Sequence, residues 1–502
     1  MKNHGYRTLR GLSPESASSA QRSPQARGGA SNAGEGRFRR IFPASGFVPD
    51  PAVFAAVGAE SGPMDGGINP DATADVPLGM IFLGQFIDHD ITFDPTSGLD
   101  AVNDPDAVLN FRTPALDLDC VYGAGPGDSA YLYDESGKKL LTAQEGSAFI
   151  HQPVVFRQND LCRNADGIAV IGDPRNDENR VISQLQLAFI RFHNKVMDKI
   201  QTADPNVANL RLPGDADDFA FAQRLVRWHF QWIVNNEFLP LLCGQTLVDQ
   251  ILDDSGAVDS GRKIYDPADL SERAFIPIEF AVAAYRFGHS MIAQSVKTKH
   301  TPLELESLFG QKMGSGFSPL SHSAGVIKWN YLFDINGSDF QRADRLDTKL
   351  ATTLLNLPFI KIAPASLAER NLRRGASFSL ASGEEVVDAI NAQLSNHISK
   401  LTANEINTLS GGNFGTGAFV NNTPLWYYIL AEAESLGNGV TGAGQGLGPA
   451  GGRIVAETLI GIQQKDATSY LCYNQNNPGA PWSPDLIQGP GDFTMADLLT
   501  YS

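Results

Sequence analysis

Five long stretches of this chain repeat their apolar residues every three to four positions, and that spacing constrains the fold more than any other feature. They read PLGMIFLGQFIDHDI (77–91), NRVISQLQLAFIRFHNKVMDKI (179–200), DFAFAQRLVRWHFQWIVNNEFLPLL (218–242), PIEFAVAAYRFGHSMIAQSV (277–296) and GEEVVDAINAQLSNHI (383–398). Each lays an apolar stripe along one side of a helix. Start signals accompany several of them: Pro77 and Pro277 suit a first helical turn, and Asp217 or Asp218 precedes FAFAQRLV. Alternating strand patterns are scarce. The expectation is a mainly α protein, a single large helical domain with few short strands.

The chain has 502 residues, 42% of them hydrophobic, enough for one large domain or two to three smaller ones. Residues 1–45 stand apart as a Ser-, Gly- and Arg-rich basic arm, with Lys2, Arg7, Arg10, Arg22, Arg27, Arg37, Arg39 and Arg40 against Glu15 and Glu35. Residues 46–502 carry the globular domain. A net charge of -17 argues against nucleic acid as a partner, because phosphate binding needs clustered Lys and Arg.

Cys120, Cys162, Cys243 and Cys472 are scattered without a CxxC pair, which suits free buried thiols. No segment has the apolar run of a secretory signal or of an integral membrane segment. A soluble protein is expected, cytoplasmic by default, with export lacking an N-terminal signal peptide left open. Gly437, Gly439 and Gly442 satisfy GxGxxG, but WYYILAEAESL before them reads as helix where that motif needs a strand, so the glycines read as a loop.

Three polar insertions interrupt the apolar helices. In LGQFIDHDITFDP, helical geometry puts Gln85 and His89 on one face with Asp88 beside it, while Asp90 is rotated by about 100°. A helix end whose Asp and His cap backbone groups explains the same run structurally. GDPRNDENR brings Arg175, Asp177 and Glu178 to a turn before a long helix, where acidic residues favour the helix N-terminus. The run Tyr285, Arg286, Phe287, Gly288, His289 puts an imidazole inside an apolar segment, with a glycine before it as though a bulky group approached the backbone. His193 and His229 read as hydrogen-bonded core residues. His4, His300, His322 and His397 have no companions that suggest a site.

LGQFIDHDITF, RTPALDLDCVYG, GDPRNDEN and EFAVAAYRFGHSMI, in that order, resemble the animal-type haem peroxidases of the peroxidase-cyclooxygenase superfamily, in a short bacterial-type form, from about residue 75 to about residue 470. The resemblance implies a myeloperoxidase- or lactoperoxidase-like catalytic domain over 46–502 that binds haem b and calcium. It assigns His89 as the distal base, Gln85 as the distal glutamine and Arg175 as the distal cation. His289 becomes the proximal iron ligand, Asn371 the hydrogen-bond acceptor for its other ring nitrogen, and Arg286 the partner of a haem propionate. Asp88 and Glu178 become the two carboxylates that form esters with haem. Asp90, Thr113, Ala115, Asp117 and Asp119 become the calcium site, oxygen donors that suit a hard cation.

The activity so implied is reduction of hydrogen peroxide coupled, through a ferryl intermediate, to oxidation of small anionic or aromatic donors: bromide, iodide, thiocyanate or phenols. Asn179 stands where myeloperoxidase has a methionine linked to haem, which counts against efficient chloride oxidation. Two other readings stay open. A cyclooxygenase-like fatty-acid dioxygenase would need a tyrosine three residues before the proximal His, where this chain has Arg286. A non-catalytic haem- or calcium-binding protein has no need of Gln85, His89, Arg175 and His289 together. The sequence leaves monomer and homodimer equally open.

Overall fold

The computed structural model describes residues 36–67, 72–94, 103, 108–146, 148–149, 152–268, 273–299, 303–314, 316–357, 360, 363–438, 442–484 and 493–502. Helices dominate, and the strands are short. The helices that matter here are α1 (Leu78–Ile91), α2 (Arg180–Gln201), α3 (Asp218–Ile233), α4 (Leu367–Ser377), α5 (Leu425–Ser435) and α6 (Pro449–Gln464). Apolar side chains from Phe38 to Leu499 merge into one continuous core. Among the described residues no helix is long and apolar enough to cross a membrane.

Helix α1 lies at the centre. Its side chains are apolar almost all round, the pattern of a helix enclosed on every side; every residue from Leu78 to Ile91 is buried except Gln85 and Asp88. Phe86 stacks on Phe189 of α2 at 4.6 Å and meets Phe230 of α3 edge-on at 6.0 Å, so three helices share one aromatic joint. Pro77 and Pro277 sit one position earlier than expected, as N-caps, and Asp217 caps α3 by accepting from the Ala220 N–H.

Three small sheets fasten loops to this bundle. Strand β1 (Gly36–Arg39) lies between β3 (Leu109–Asn110, antiparallel) and β4 (Ile276–Pro277, parallel). Strand β2 (Ala72–Pro77) leads straight into α1 and pairs with β7 (Arg342–Asp344); β5 (Ser295–Lys299) pairs with β6 (Glu304–Ser307). Residues 1–35 of the basic arm lie outside the described residues. Its last ten belong to the packed body: Phe38 and Phe42 are buried, and the Ile41 and Phe42 amides donate to the Glu279 carboxylate.

The stretch 277–296 departs from the single helix expected. It breaks into α-helix at Ile278–Val282, a 3-10 turn at Ala284–Phe287 and a last helical turn at Gly288–Met291, then becomes β5. Ala283 leaves the helical region, with φ −130° and ψ −71°. The Arg286 guanidinium donates to the Ala281 carbonyl at 3.0 Å, occupying an acceptor that a continuous helix would offer to the backbone of Tyr285. Neighbours in the 3-10 turn therefore diverge by about 120° rather than 100°. A Cβ at Gly288 would meet, among the described protein atoms, only Ile81 at an ordinary 3.5 Å.

The other sequence readings divide cleanly. None of the four cysteines is in a disulfide; three are buried and Cys472 is half-buried. His193 bonds Tyr122 and the Lys138 carbonyl, and His229 bonds the Leu225 carbonyl. Helix α5 precedes Gly437 as expected, while Gly439 lies outside the described residues.

Gly79 is the close contact on which α1 depends. A Cβ there would fall 2.3 Å from the ring of Phe333, itself 1% exposed and without room to move. Gly79→Ala is predicted to cost about 1–3 kcal/mol by overpacking, read as a lower thermal midpoint; an unchanged midpoint would show that α1 and the Phe333 turn are not locked together.

Candidate active site

Helix α1 and the turn after Gly172 build the site between them. Pro174–Asp177 forms a 3-10 turn capped by Asp173, whose side chain accepts from the Arg175 N–H, and Asn179 caps α2 by accepting from the Ile182 N–H. Asp173 is fully buried between two guanidiniums. Arg112 donates to it through Nε (2.9 Å) and Nη2 (2.5 Å), and Arg175 through Nη2 at 2.8 Å. Burial alone would push the Asp173 carboxyl up, but the two arginines outweigh it and hold it far below the usual carboxylate range.

Arg175 in turn donates through Nη2 to the carbonyls of His89 (3.0 Å) and Thr92 (2.6 Å), and its guanidinium lies 4.6 Å from the Phe93 ring centre. Its Nε and Nη2 are thus occupied, and Nη1 is the edge left for a ligand among the described residues.

His89 is buried at the C-terminal end of α1. Its Nδ1 meets Asn176 Oδ1 at 2.7 Å, so Nε2 is the nitrogen that remains for chemistry. Burial lowers the imidazole to about 4, with Arg175 acting in the same direction, and keeps it neutral near pH 7. Asn176 was not among the residues singled out from the sequence. Its place inside GDPRNDEN was visible, but its contact with His89 is a tertiary fact.

Gln85 and Asp88, the two openings in α1, face the same turn. Gln85 Nε2 donates to Glu178, while Gln85 Oε1 accepts from Asn179 Nδ2 at 3.2 Å. Burial raises Glu178 to about 7, with Asp173 and Asp88 adding to the rise and Arg175 opposing it. Asp88 Oδ1 accepts from the Thr92 hydroxyl at 2.8 Å. The charge of Asp88 acts on His89, Glu178, Tyr285 and Arg286.

The His289 segment packs on α1, with Ile81 against Gly288. His289 is partly exposed, and its Nδ1 lies 2.8 Å from Asn371 Nδ2 of α4. The partner is the expected residue but the polarity is reversed, because Asn371 turns Oδ1 toward Arg286 Nη1 at 3.4 Å. Burial, then Arg286, lowers the imidazole to about 3, which leaves it neutral. Nε2 has no hydrogen-bond partner among the described residues.

Two further cations gather near this segment that the sequence reading did not single out. Arg370 and Arg374, one turn apart on α4, add their charge to that of Arg286. Arg374 is lowered to about 10 by burial and by its two cationic neighbours. The Asp94 carboxylate acts on Arg286 and Arg374 in the opposite direction. The signal was present in AERNLRRG as an i, i+4 pair flanking Asn371.

Asp90, Asp117 and Asp119 form a separate cluster whose carboxylate oxygens lie within 4.8 Å of one another. The Leu118 amide donates to Asp90 at 3.0 Å, Thr113 Oγ1 to Asp117 at 2.7 Å, and Arg112 Nη1 to Asp119 at 3.1 Å. Ala115 lies in the same loop. Burial pushes all three carboxyls up, Asp119 to about 7, with like-charge repulsion adding to the rise of Asp90 and Asp119. Asp90 is buried and Asp117 and Asp119 are half-buried.

On a mainly α fold, α1 thus brings Gln85 to Glu178 and Asn179 and His89 to Asn176, while His289 meets Asn371. In the comparison with known proteins, residues 98–314 match the family model of the animal haem peroxidase. The match includes Arg175, Glu178, Arg286, His289 and the Thr113–Asp119 loop; Gln85–Asp90 and Asn371 lie outside it, joined to it only by the fold.

A chorion peroxidase of Aedes aegypti is 26% identical over 216 residues, 42% of this chain and 25% of its own length. Peroxidase mlt-7 of Caenorhabditis elegans is 26% identical over 197 residues, 39% of this chain and 24% of its own. The chain therefore spans about a quarter of the length of these curated relatives. In structure it is similar to peroxidase A of Dictyostelium discoideum, with a TM-score of 0.61 at 15% identity, covering 92% of this chain and 95% of that one. It is also similar to a fatty acid alpha-dioxygenase of Arabidopsis thaliana, with a TM-score of 0.58 at 16% identity, covering 86% and 72%.

Asp173→Asn would leave two guanidiniums buried against a neutral amide. The loss is predicted at about 3–5 kcal/mol of stability, measured by chemical unfolding. A cost below 1 kcal/mol would mean that the clamp does not hold the site.

Proposed function

We propose that the chain is a haem-dependent peroxidase that reduces hydrogen peroxide to water and oxidises small donors such as bromide, iodide, thiocyanate or phenols. The observation that carries this reading is the meeting of stretches distant in sequence: Gln85 hydrogen-bonds Glu178 and Asn179, His89 hydrogen-bonds Asn176, and His289 hydrogen-bonds Asn371. In it His289 Nε2 holds the haem iron, Arg286, Arg370 and Arg374 receive the propionates, and Asp88 and Glu178 meet the porphyrin edge. When bound, the haem supplies the electrons that reduce peroxide and the oxidising equivalents passed to the donor.

The chain's own part is proton transfer and electrostatics. His89 Nε2, neutral and unpartnered, takes the proton from the attacking peroxide oxygen and returns it to the departing one, which leaves as water. Arg175 Nη1 and the second Nε2 hydrogen of Gln85 face negative charge as the O–O bond lengthens. For His289 to bind iron through Nε2 its Nδ1 must carry the proton. A 180° turn of the Asn371 amide would present Oδ1 to that proton, giving up only the long contact to Arg286.

In this reading the carboxyls of Asp88 and Glu178 would form esters with haem methyls. Each ester would replace a methyl C–H by a C–O bond, a two-electron oxidation for which hydrogen peroxide would be the oxidant. Asp90, Thr113, Ala115, Asp117 and Asp119 are the proposed calcium ligands, the cation offsetting three carboxylates that burial otherwise disfavours.

The fold similarity to the fatty acid alpha-dioxygenase keeps lipid oxidation as a second reading. Against it stands Arg286, whose cation occupies the position where such a reaction needs a phenol. A donor panel on haem-loaded protein, with bromide, iodide, thiocyanate, a phenolic dye, and linoleate with oxygen, separates the readings. Peroxide-dependent turnover of the anions or the dye is expected, and turnover of linoleate alone, or of nothing, would overturn the peroxidase reading. In the same preparation, haem should resist acid-acetone extraction after peroxide treatment and calcium should appear by elemental analysis. Free extraction would remove the esters, and a metal-free, fully active protein the calcium.

A further inference from the structure

The hydrogen bonds behind His89 run on through two buried amides to a backbone carbonyl. Asn176 Nδ2 donates to Gln186 Oε1 at 2.8 Å, and Gln186 Nε2 donates to the Cys120 carbonyl at 3.3 Å. Both side chains are completely buried. The Cys120 carbonyl also accepts from the Asp173 amide at 3.1 Å.

A carbonyl oxygen can only accept, and this fixes the direction of the whole chain. Gln186 must turn its NH2 toward Cys120, which leaves its oxygen for Asn176. Asn176 must then turn its NH2 toward Gln186, which leaves its oxygen for His89. An amide oxygen facing Nδ1 requires that Nδ1 carry the proton, so Nε2 keeps its lone pair.

We propose that Asn176 and Gln186 are positioning residues that hold His89 in the Nδ1–H tautomer, through a relay anchored on the Cys120 carbonyl beside the acidic Asp117–Asp119 loop. The proposal rests on the peroxidase reading for its consequence, since a base for peroxide needs a free lone pair at Nε2. It does not rest on that reading for the tautomer itself. Reversing either amide would place two donors or two acceptors face to face inside the core, which costs buried hydrogen bonds on both sides. Neither residue touches peroxide or haem in this account; each acts through His89. Gln186 lies on α2 and Cys120 in the turn after the acidic loop, so the relay joins helix, loop and distal base in one polarity.

The test uses haem-loaded protein in two arms. The first reads the tautomer directly, from 15N shifts of labelled histidine in the diamagnetic ferrous carbon monoxide form. Wild type should show His89 Nε2 unprotonated, Asn176→Ala a mixture of tautomers, and Asn176→Asp, which keeps an acceptor, the wild-type pattern. The second is the rate constant for reaction with hydrogen peroxide, expected to fall about 10- to 100-fold in Asn176→Ala, as supporting-group losses commonly do. It should recover in Asn176→Asp and fall by a smaller factor in Gln186→Leu.

A protonated Nε2 in wild type, or an Asn176→Ala protein with wild-type tautomer and rate, would overturn the relay. If Asn176→Ala does not fold, the wild-type spectrum and Asn176→Asp decide the matter. Should wild type fail to react with peroxide while showing the Nδ1–H tautomer, the peroxidase reading falls and the relay stands.

Discussion

Everything around the site hangs on the carboxylate of Asp173, buried between Arg112 and Arg175. Through Arg112 it reaches Asp119 of the acidic loop; through Arg175 it reaches the carbonyls that end α1. A single ionised group thus ties three stretches of chain that sequence alone leaves far apart. The cost of burying these charges is offset only because each is paired and hydrogen-bonded, so removing one member exposes the others to the full penalty.

That clamp gives the charged run of α1 its sense. Asp88, His89 and Asp90 occupy one turn of an otherwise buried helix, and each points to a different neighbourhood: Asp88 to the Glu178 and Arg286 side, His89 to Asn176, Asp90 to the Leu118 and Cys120 amides. Rotation of about 100° per residue lets adjacent side chains serve separate partners. The same geometry couples them, because α1 cannot shift without moving all three. Asn179 shows a similar economy, capping α2 with its oxygen and holding Gln85 with its amide nitrogen.

Apolar periodicity made the long helices legible, and α1, α2 and α3 fall within a residue or two of where the pattern puts their starts. It failed across 277–296 because the break comes from a side chain: Arg286 takes a backbone carbonyl, and nothing in the spacing of Phe, Val and Ile announces that. The motif residues were legible as residues, through polar groups set into apolar helices. Their supporting partners were not. Asn176, Gln186, Arg370 and Arg374 are ordinary polar residues in sequence, and only the packing of α1 on α2, and of α4 near the His289 segment, reveals what they touch. The polarity of Asn371 is the clearest case, since the sequence identifies the partner of His289 while the amide's orientation depends on Arg286.

In the proposed reading, α1 and the His289 segment form the two walls of one haem site. A crystal structure of the haem-loaded protein tests it most directly. It should show one haem bounded by Gln85 and Asp88, with His289 Nε2 on the iron at about 2 Å, His89 off the metal, and the propionates among Arg286, Arg370 and Arg374. Haem bound elsewhere, or iron ligated by both His89 and His289, would contradict it.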